Sequence, residues 1–255
     1  AADALIVATY NVENLDPNDG AAAFAARATQ IVNYLGSPDI LLLQEMQDNN
    51  GATNNSVVDA STTFQTLINA IVTAGGPTYE FRQINPVDGT NGGESGGNIR
   101  QGFLFNPARV SFVDIAGGNA TSATTVTNVG GVPTLNFSPG WLDPTNGAFS
   151  ASRKPLIGQF TFNGRTLFII NNHFNSKGGD MPLFGDTQPP VLSSETQRNQ
   201  QAAIVRSFVE SILAIDSNAL VVVAGDLNDF QFSNPVQSVA GAGLNIGTLT
   251  YANEY

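Results

Sequence analysis

Ala219-Leu-Val-Val-Val-Ala-Gly-Asp-Leu-Asn228 is an apolar run of strand length that finishes in an acid and an amide. Three other runs finish in the same way: Leu5-Ile-Val-Ala-Thr-Tyr-Asn11, Asp39-Ile-Leu-Leu-Leu-Gln-Glu45 and Arg165-Thr-Leu-Phe-Ile-Ile-Asn-Asn-His173. Short apolar runs bounded by polar residues read as buried strands. A polar side chain after such a strand must find a hydrogen bond, an ion or a cleft, because burying it unpaired is costly. Open α/β folds set their ligand sites at the carboxyl ends of strands. Asn11, Glu45, His173, Asp226 and Asn228 therefore form the candidate site. They are hard or borderline ligands for a divalent cation, together with one titratable base.

The rest of the composition narrows the reading. A chain of 255 residues with 42% hydrophobic content can bury one large core, and a single domain over residues 1–255 is expected. With 26 glycines, 13 prolines and only 12% charged residues, the surface is rich in loops and uncharged polar groups. There is no cysteine, which excludes disulfides, thiolate metal sites and cysteine nucleophiles. A net charge of −11 argues against a broad basic surface for nucleic acid. It does not exclude a nuclease, where a few local cations and a bound metal supply the positive charge at phosphate. No run has the length of a membrane-spanning helix, and Ala1-Ala-Asp lacks the regions of a signal peptide, so a soluble, already processed chain is expected.

Between the strand ends, apolar spacing predicts helices over Ala21 to Leu35, about Val58 to Ala74, and Glu195 to about Ile215. Ser194 and Gln197 have capping-box spacing before the third. Strands are expected at Tyr79 to Ile84, Ile99 to Phe105, Val110 to Ile115 and Leu156 to Asn163. Asn163-Gly164 signals a hairpin, so much of this middle reads as antiparallel. The segments Asn85 to Asn98 and Gly117 to Ser150 read as polar loops with little core. Asp16-Pro-Asn-Asp-Gly20 and Asp88-Gly-Thr-Asn-Gly92 do not complete an EF-hand loop, and Gly92-Gly-Glu-Ser-Gly-Gly97 lacks the ending of a P-loop.

Taken together, the motifs resemble the endonuclease/exonuclease/phosphatase superfamily of metal-dependent phosphoesterases, along nearly the whole chain. Thr9-Tyr-Asn-Val-Glu-Asn14, Leu43-Gln-Glu-Met46, Asn172-His-Phe174 and Gly225-Asp-Leu-Asn-Asp229 match four family motifs in the family's order. The stretch Asn172 to Asp180, with Pro182-Leu-Phe184 and Gln188-Pro-Pro190, is similar to the branch of secreted or surface-attached bacterial nucleases. The resemblance implies an α/β (α+β) four-layer sandwich, two mainly antiparallel sheets packed face to face with helices outside. It implies Mg²⁺ or Mn²⁺, with Ca²⁺ as a further option, and a secreted or cell-surface location. Glu45 would be the principal metal ligand with Asn11 beside it. Asp226 would orient or deprotonate the attacking water, Asn228 would hold a phosphate oxygen or the nucleophile, and His173 would donate at the phosphate or leaving oxygen. Arg100 and Arg153 are candidate phosphate clamps, with surface placement as the competing reading, and Lys177 would steer substrate. Each residue also has a plainer reading: a lone histidine as hydrogen-bonded filler, the carboxylates as caps, the asparagines as strand terminators.

One departure from the family pattern stands out. Family members finish with a strand carrying Ser-Asp-His, whereas the last residues here are Tyr251-Ala-Asn-Glu-Tyr255, and His173 is the only histidine. The expectation is a last strand missing from this chain, supplied by a lost C-terminal segment or a partner chain, and hydrolysis severely impaired as the chain stands. The leading reading is a phosphodiesterase acting on DNA, with RNA as a second substrate. A phosphatase or phospholipid phosphodiesterase on the same scaffold is the enzymatic alternative, for which an exposed Trp141 would speak. A non-catalytic surface or assembly protein retaining the fold is the alternative from another class.

Overall fold

The computed structural model describes residues 3–241, so the expectation attached to Tyr251-Ala-Asn-Glu-Tyr255 lies outside the described residues. From the N-terminus come β1 (Val7–Asn11), α1 (Gly20–Thr29), β2 (Ile40–Met46), α2 (Ser61–Thr73), β3 (Glu80–Gln83) and β4 (Arg100–Phe105). Their strands form one sheet in the order β1-β2-β4-β3. The helix expected up to Leu35 is α1 followed by a π turn over Gln30–Tyr34, where the Leu35 N–H donates to the Gln30 carbonyl.

The second half contributes β5 (Ser111–Phe112), a hairpin of β6 (Val126–Val129) and β7 (Val132–Leu135), then β8 (Gly140–Trp141), β9 (Leu156–Phe162) and β10 (Arg165–His173). It ends with α3 (Glu195–Ile215), β11 (Leu220–Asp226) and α4 (Asn234–Ala240). The second sheet runs β11-β10-β9-β5, with β8 also on β9. Asn163 and Gly164 both have positive φ, 49° and 74°, the geometry of the expected tight hairpin between β9 and β10.

Period-2 alternation builds three apolar layers. In β2, Leu41 and Leu43 pack with Phe24, Phe64 and Leu67 of α1 and α2, while Ile40 and Leu42 face the other sheet. In β10, Phe168 and Ile170 pack with Val205 and Val209 of α3, while Leu167 and Ile169 face β2 and β4 across the middle. Strands apolar on both faces are thus the sequence signature of a four-layer helix–sheet–sheet–helix sandwich, and each such side chain stabilises the fold by about 1.5–3 kcal/mol. In the middle layer Phe160 meets Phe103 and Phe112 edge to face, with centroids 5.3 and 4.9 Å apart.

Most pairings are antiparallel, but β1 runs parallel to β2 and β10 parallel to β11. Each parallel pair has its crossover helix, α1 or α3, so the strand ends at Asn11, Glu45, His173 and Asp226 all point the same way in pairs. Three local expectations change. Ser194 precedes α3 without a capping bond, because its hydroxyl donates to Asp180 and accepts from Arg198 instead. The segment 117–150 is not a bare loop: it supplies β6, β7, β8 and the buried Leu135, Trp141, Leu142 and Phe149. In the segment 85–98, Asn91 and Asn98 are buried and hydrogen-bonded.

Candidate active site

Glu45 reaches the cleft through a break in the pleat. The register of β2 on β4 moves from Leu43↔Gly102 to Met46↔Arg100, one extra residue in β2, and Glu45 takes φ 61°. Such a bulge re-aims a side chain that strict alternation would have sent under the helices. Met46 regains the helix-facing core, and the Glu45 side chain keeps 21% exposure.

Asp226 depends on Gly225, which has φ 123° and where a Cβ would lie 2.1 Å from the Asn172 carbonyl oxygen. Only glycine lets β11 approach β10 so closely just before the carboxylate. Beyond it, Asn228 at φ 50° donates its N–H to Asp226 Oδ1 at 2.9 Å, a local turn that fixes the carboxylate.

The strand ends converge. Asn11 Nδ2 donates to Glu45 Oε1 at 2.9 Å and to Asp226 Oδ2 at 3.2 Å, while Asn11 Oδ1 accepts from the Glu13 N–H. His173 Nε2 lies 3.6 Å from Glu45 Oε1 and 3.9 Å from Asp226 Oδ2. Its side chain is almost wholly buried and Nδ1 has no hydrogen-bond partner among the described residues. Burial, reinforced by the nearby Arg153 guanidinium, holds its pKa well below the ordinary histidine value, so it is neutral at pH 7.

Of the basic residues, Arg153 sits behind this cluster. Its Nη2 donates to the Phe174 carbonyl at 2.8 Å, a carbonyl that also accepts from Asn228 Nδ2 at 3.0 Å. Burial lowers its pKa, opposed by the charges of Glu45 and Asp226. Lys177 Nζ donates to the Asn228 carbonyl at 3.0 Å. Arg100 is not brought to the set. It is fully buried, and its guanidinium donates to the Asn98 and Val58 carbonyls, Gln83 and Asn85, bracing the loop at 85–98; burial lowers its pKa to about 10. Neither arginine occupies the surface position that was the competing reading.

Two supports escaped the sequence reading. Gln44 Nε2 donates to Asn171 Oδ1 at 2.7 Å, and Asn171 Nδ2 donates to the Leu43 and Gly102 carbonyls, tying the sheets beside the site. Arg198 is buried, with Nε 2.7 Å from Asp229 and Nη2 3.2 Å from Asp180. It clamps the loops after β10 and β11 to α3. The signal was present: Arg198 holds a position on the buried stripe of α3 with Ala202, Val205, Val209 and Ile212, where a lone charge needs partners. Among the described residues, no group of three or more His, Asp and Glu is arranged as a metal centre.

Comparison with known proteins agrees with the architecture. No curated protein matches the chain. Among solved structures, a β-hairpin deletion mutant of Staphylococcus aureus beta toxin is similar at 13% identity and TM-score 0.53, covering 99% of this chain and 76% of that one. The human Nocturnin catalytic domain is similar at 16% identity and TM-score 0.52, covering 92% and 69%. An endonuclease/exonuclease/phosphatase family protein from Leptotrichia buccalis is similar at 12% identity and TM-score 0.53, covering 94% and 75%. At these identities the likeness establishes the fold. Some similar solved chains are much longer, the present chain spanning 48% of one. The sequence matches the Endonuclease/Exonuclease/phosphatase family over residues 8–253, and with its motifs at the converging strand ends the chain belongs to that family of phosphoester hydrolases.

Proposed function

We propose that the protein is a metal-dependent phosphodiesterase that hydrolyses nucleic acid, DNA first and RNA as a second substrate, with activated water. The observation that carries this reading is the meeting of Glu45 and Asp226 on one amide, Asn11, with the neutral His173 beside both. Two carboxylates, partly open to solvent at 21% and 30%, share that single donor, and among the described residues neither pairs with Lys or Arg. An oxygen donor set of this kind suits a hard divalent cation that keeps most of its waters, Mg²⁺ or Mn²⁺ or else Ca²⁺. Glu45 would hold it, with Asn11 alongside once its amide turns its oxygen inward. When bound, the cation would polarise the scissile phosphate.

The chain's own groups supply the rest. Asp226, oriented by the Asn228 N–H, takes the proton of the water that attacks phosphorus. His173, being neutral, donates a hydrogen bond from Nε2 to a phosphate or leaving oxygen as the P–O ester bond breaks, and the leaving oxygen takes up its proton from solvent. The Asn228 side chain steadies the water or a phosphate oxygen. Arg153 acts from behind through its charge, and Lys177 draws substrate to the mouth. The phosphatase or phospholipid alternative loses the sign attached to Trp141, which is buried in the core, although Phe184 is exposed on the loop after His173. We propose further that residues 1–255 act as one domain, that the protein is secreted or on the cell surface, and that the half-buried apolar edge of β11 accepts another strand from the same or a partner chain.

Plasmid relaxation with Mg²⁺ or Mn²⁺, abolished by chelator and by His173→Ala, is the expected result for a version extended by a C-terminal Ser-Asp-His strand, at a rate well above that of residues 1–255. Silence both from this chain and from a version extended by a C-terminal Ser-Asp-His strand would instead favour the non-catalytic binding protein.

A further inference from the structure

Beside the candidate site two phenylalanines face solvent. Phe232 is 66% exposed and Phe230 38%. Their rings lie parallel, 6° apart in plane and 5.2 Å between centroids. Lys177 Nζ is 5.5 Å from the Phe230 centroid and donates to the carbonyl of Asn228, so one ammonium group links the aromatic pair to the strand end that carries Asp226. Phe232 lies no more than about 14 Å from Asn228 along the chain. The turn that carries the rings is held firmly. The Phe230 N–H donates to Asp229 Oδ1, the other oxygen of Asp229 pairs with buried Arg198, and the Ser233 N–H closes onto the Phe230 carbonyl.

We propose that Phe230 and Phe232 form a stacking platform for unpaired bases of a single-stranded polynucleotide, with Lys177 meeting the adjoining phosphate; this rests on the nuclease reading of the site. The charge distribution calls for such a platform. Of the ten basic residues, Arg27, Arg82, Arg109, Arg198 and Arg206 pair with carboxylates, while Arg100, Arg153 and Lys154 are buried. Arg165 begins β10, at the end opposite His173. Lys177 is thus left as the accessible cation at the site of a protein with a net charge of −11, and phosphate contacts alone would hold substrate weakly. Stacking needs no charge and tolerates any base. A flat ring face set beside a cation fits a planar base joined to a phosphate; duplex DNA hides its base faces in its own stack, and an acyl chain would use the rings' apolar area but not their parallel faces.

The test is fluorescence anisotropy of a fluorescein-labelled oligothymidylate with the intact chain in chelator, so that binding is read without cleavage. The probe is compared with a duplex containing the same strand and with phosphatidylcholine–sphingomyelin vesicles. Phe230→Ala with Phe232→Ala is expected to weaken single-strand binding roughly five- to hundredfold, and duplex binding by less. Phe232→Trp is expected to keep the affinity and to show indole quenching by the oligonucleotide. Because both side chains are exposed, an unchanged melting temperature serves as the folding control. Single-strand binding that ignores the double substitution overturns the platform and leaves the nuclease reading standing. Vesicle binding lost in the double variant, with oligonucleotide binding intact, overturns it in favour of a lipid surface. If the wild-type chain neither binds nor cleaves any polynucleotide, the nuclease reading fails and the platform with it.

Discussion

Glu45 holds a left-handed backbone conformation that costs a non-glycine residue about 1–2 kcal/mol, and it does so next to another carboxylate. Both penalties fall away in Glu45→Asn, since asparagine tolerates that conformation and carries no charge. We expect this variant to be more stable by about 1 kcal/mol in calorimetry, and its cleavage rate to fall at least about a hundredfold. A less stable but active variant would refute the role given to Glu45. His173 offers a second test through pH. Its folded pKa is depressed by burial first and then by Arg153, so as pH falls below the ordinary histidine value the unfolded chain binds a proton that the folded chain refuses. Stability is therefore complete above about pH 6.5 and declines below it with a slope of at most about 1.4 kcal/mol per pH unit. His173 is the only histidine, so in chelator His173→Gln should flatten urea-measured stability between pH 6.5 and 5. At this scale the sequence named the residues by type and place, but it could not say that Glu45 sits on a bulge.

Among the elements, α3 does more than cover a sheet. Arg198 projects from it between Asp180 and Asp229, and with both acids buried its removal leaves two charges uncompensated. Arg198→Ala is expected to lower unfolding free energy by about 3–5 kcal/mol and to loosen both site loops, read by hydrogen exchange over residues 174–194 and 227–233. Burial by itself would raise the pKa of each acid. Hydrogen bonds from Ser194 to Asp180 and from Ser233 to Asp229, with Arg198 acting on both, outweigh it and leave both below the ordinary aspartate value. Their contribution is present above that value and is lost as pH falls through the folded pKa, so the wild type should shed stability below about pH 4 more steeply than Arg198→Ala. Strand β11 has its own weak point: Gly225→Ala forces a methyl against the Asn172 carbonyl, and should cost about 1–3 kcal/mol, displacing Asp226 as well. The bounds of α3 were legible because its apolar face repeats along the helix, as were β9, β10 and their Asn-Gly turn. The strands within 117–150 were not, because at two to four residues they are too short to show a period.

Across the whole molecule the site exists because two sheets lie in one register, and Gln44 with Asn171 holds that register from the middle layer. Asn171→Ala would remove the amide that donates to the Leu43 and Gly102 carbonyls and leave buried Gln44 Nε2 without its Asn171 Oδ1 acceptor. It should lower stability by about 3 kcal/mol, seen as a lower urea midpoint at unchanged slope. By itself the sequence determined the four apolar strands, the polar residue that ends each and their order, because strand length and termination are properties of neighbouring residues, while the layered architecture followed from the family resemblance of the motifs. Tertiary structure alone decided which of those ends meet. It brought Asn11, 215 positions from Asp226, to within a hydrogen bond of it, and drew Arg100 and Trp141 into the interior. It also left β11 half-buried at the edge of its sheet among the described residues, despite the apolar run Leu220 to Ala224. Burial and charge pairing depend on residues remote in sequence, and only the closed packing of both sheets states which ones they are.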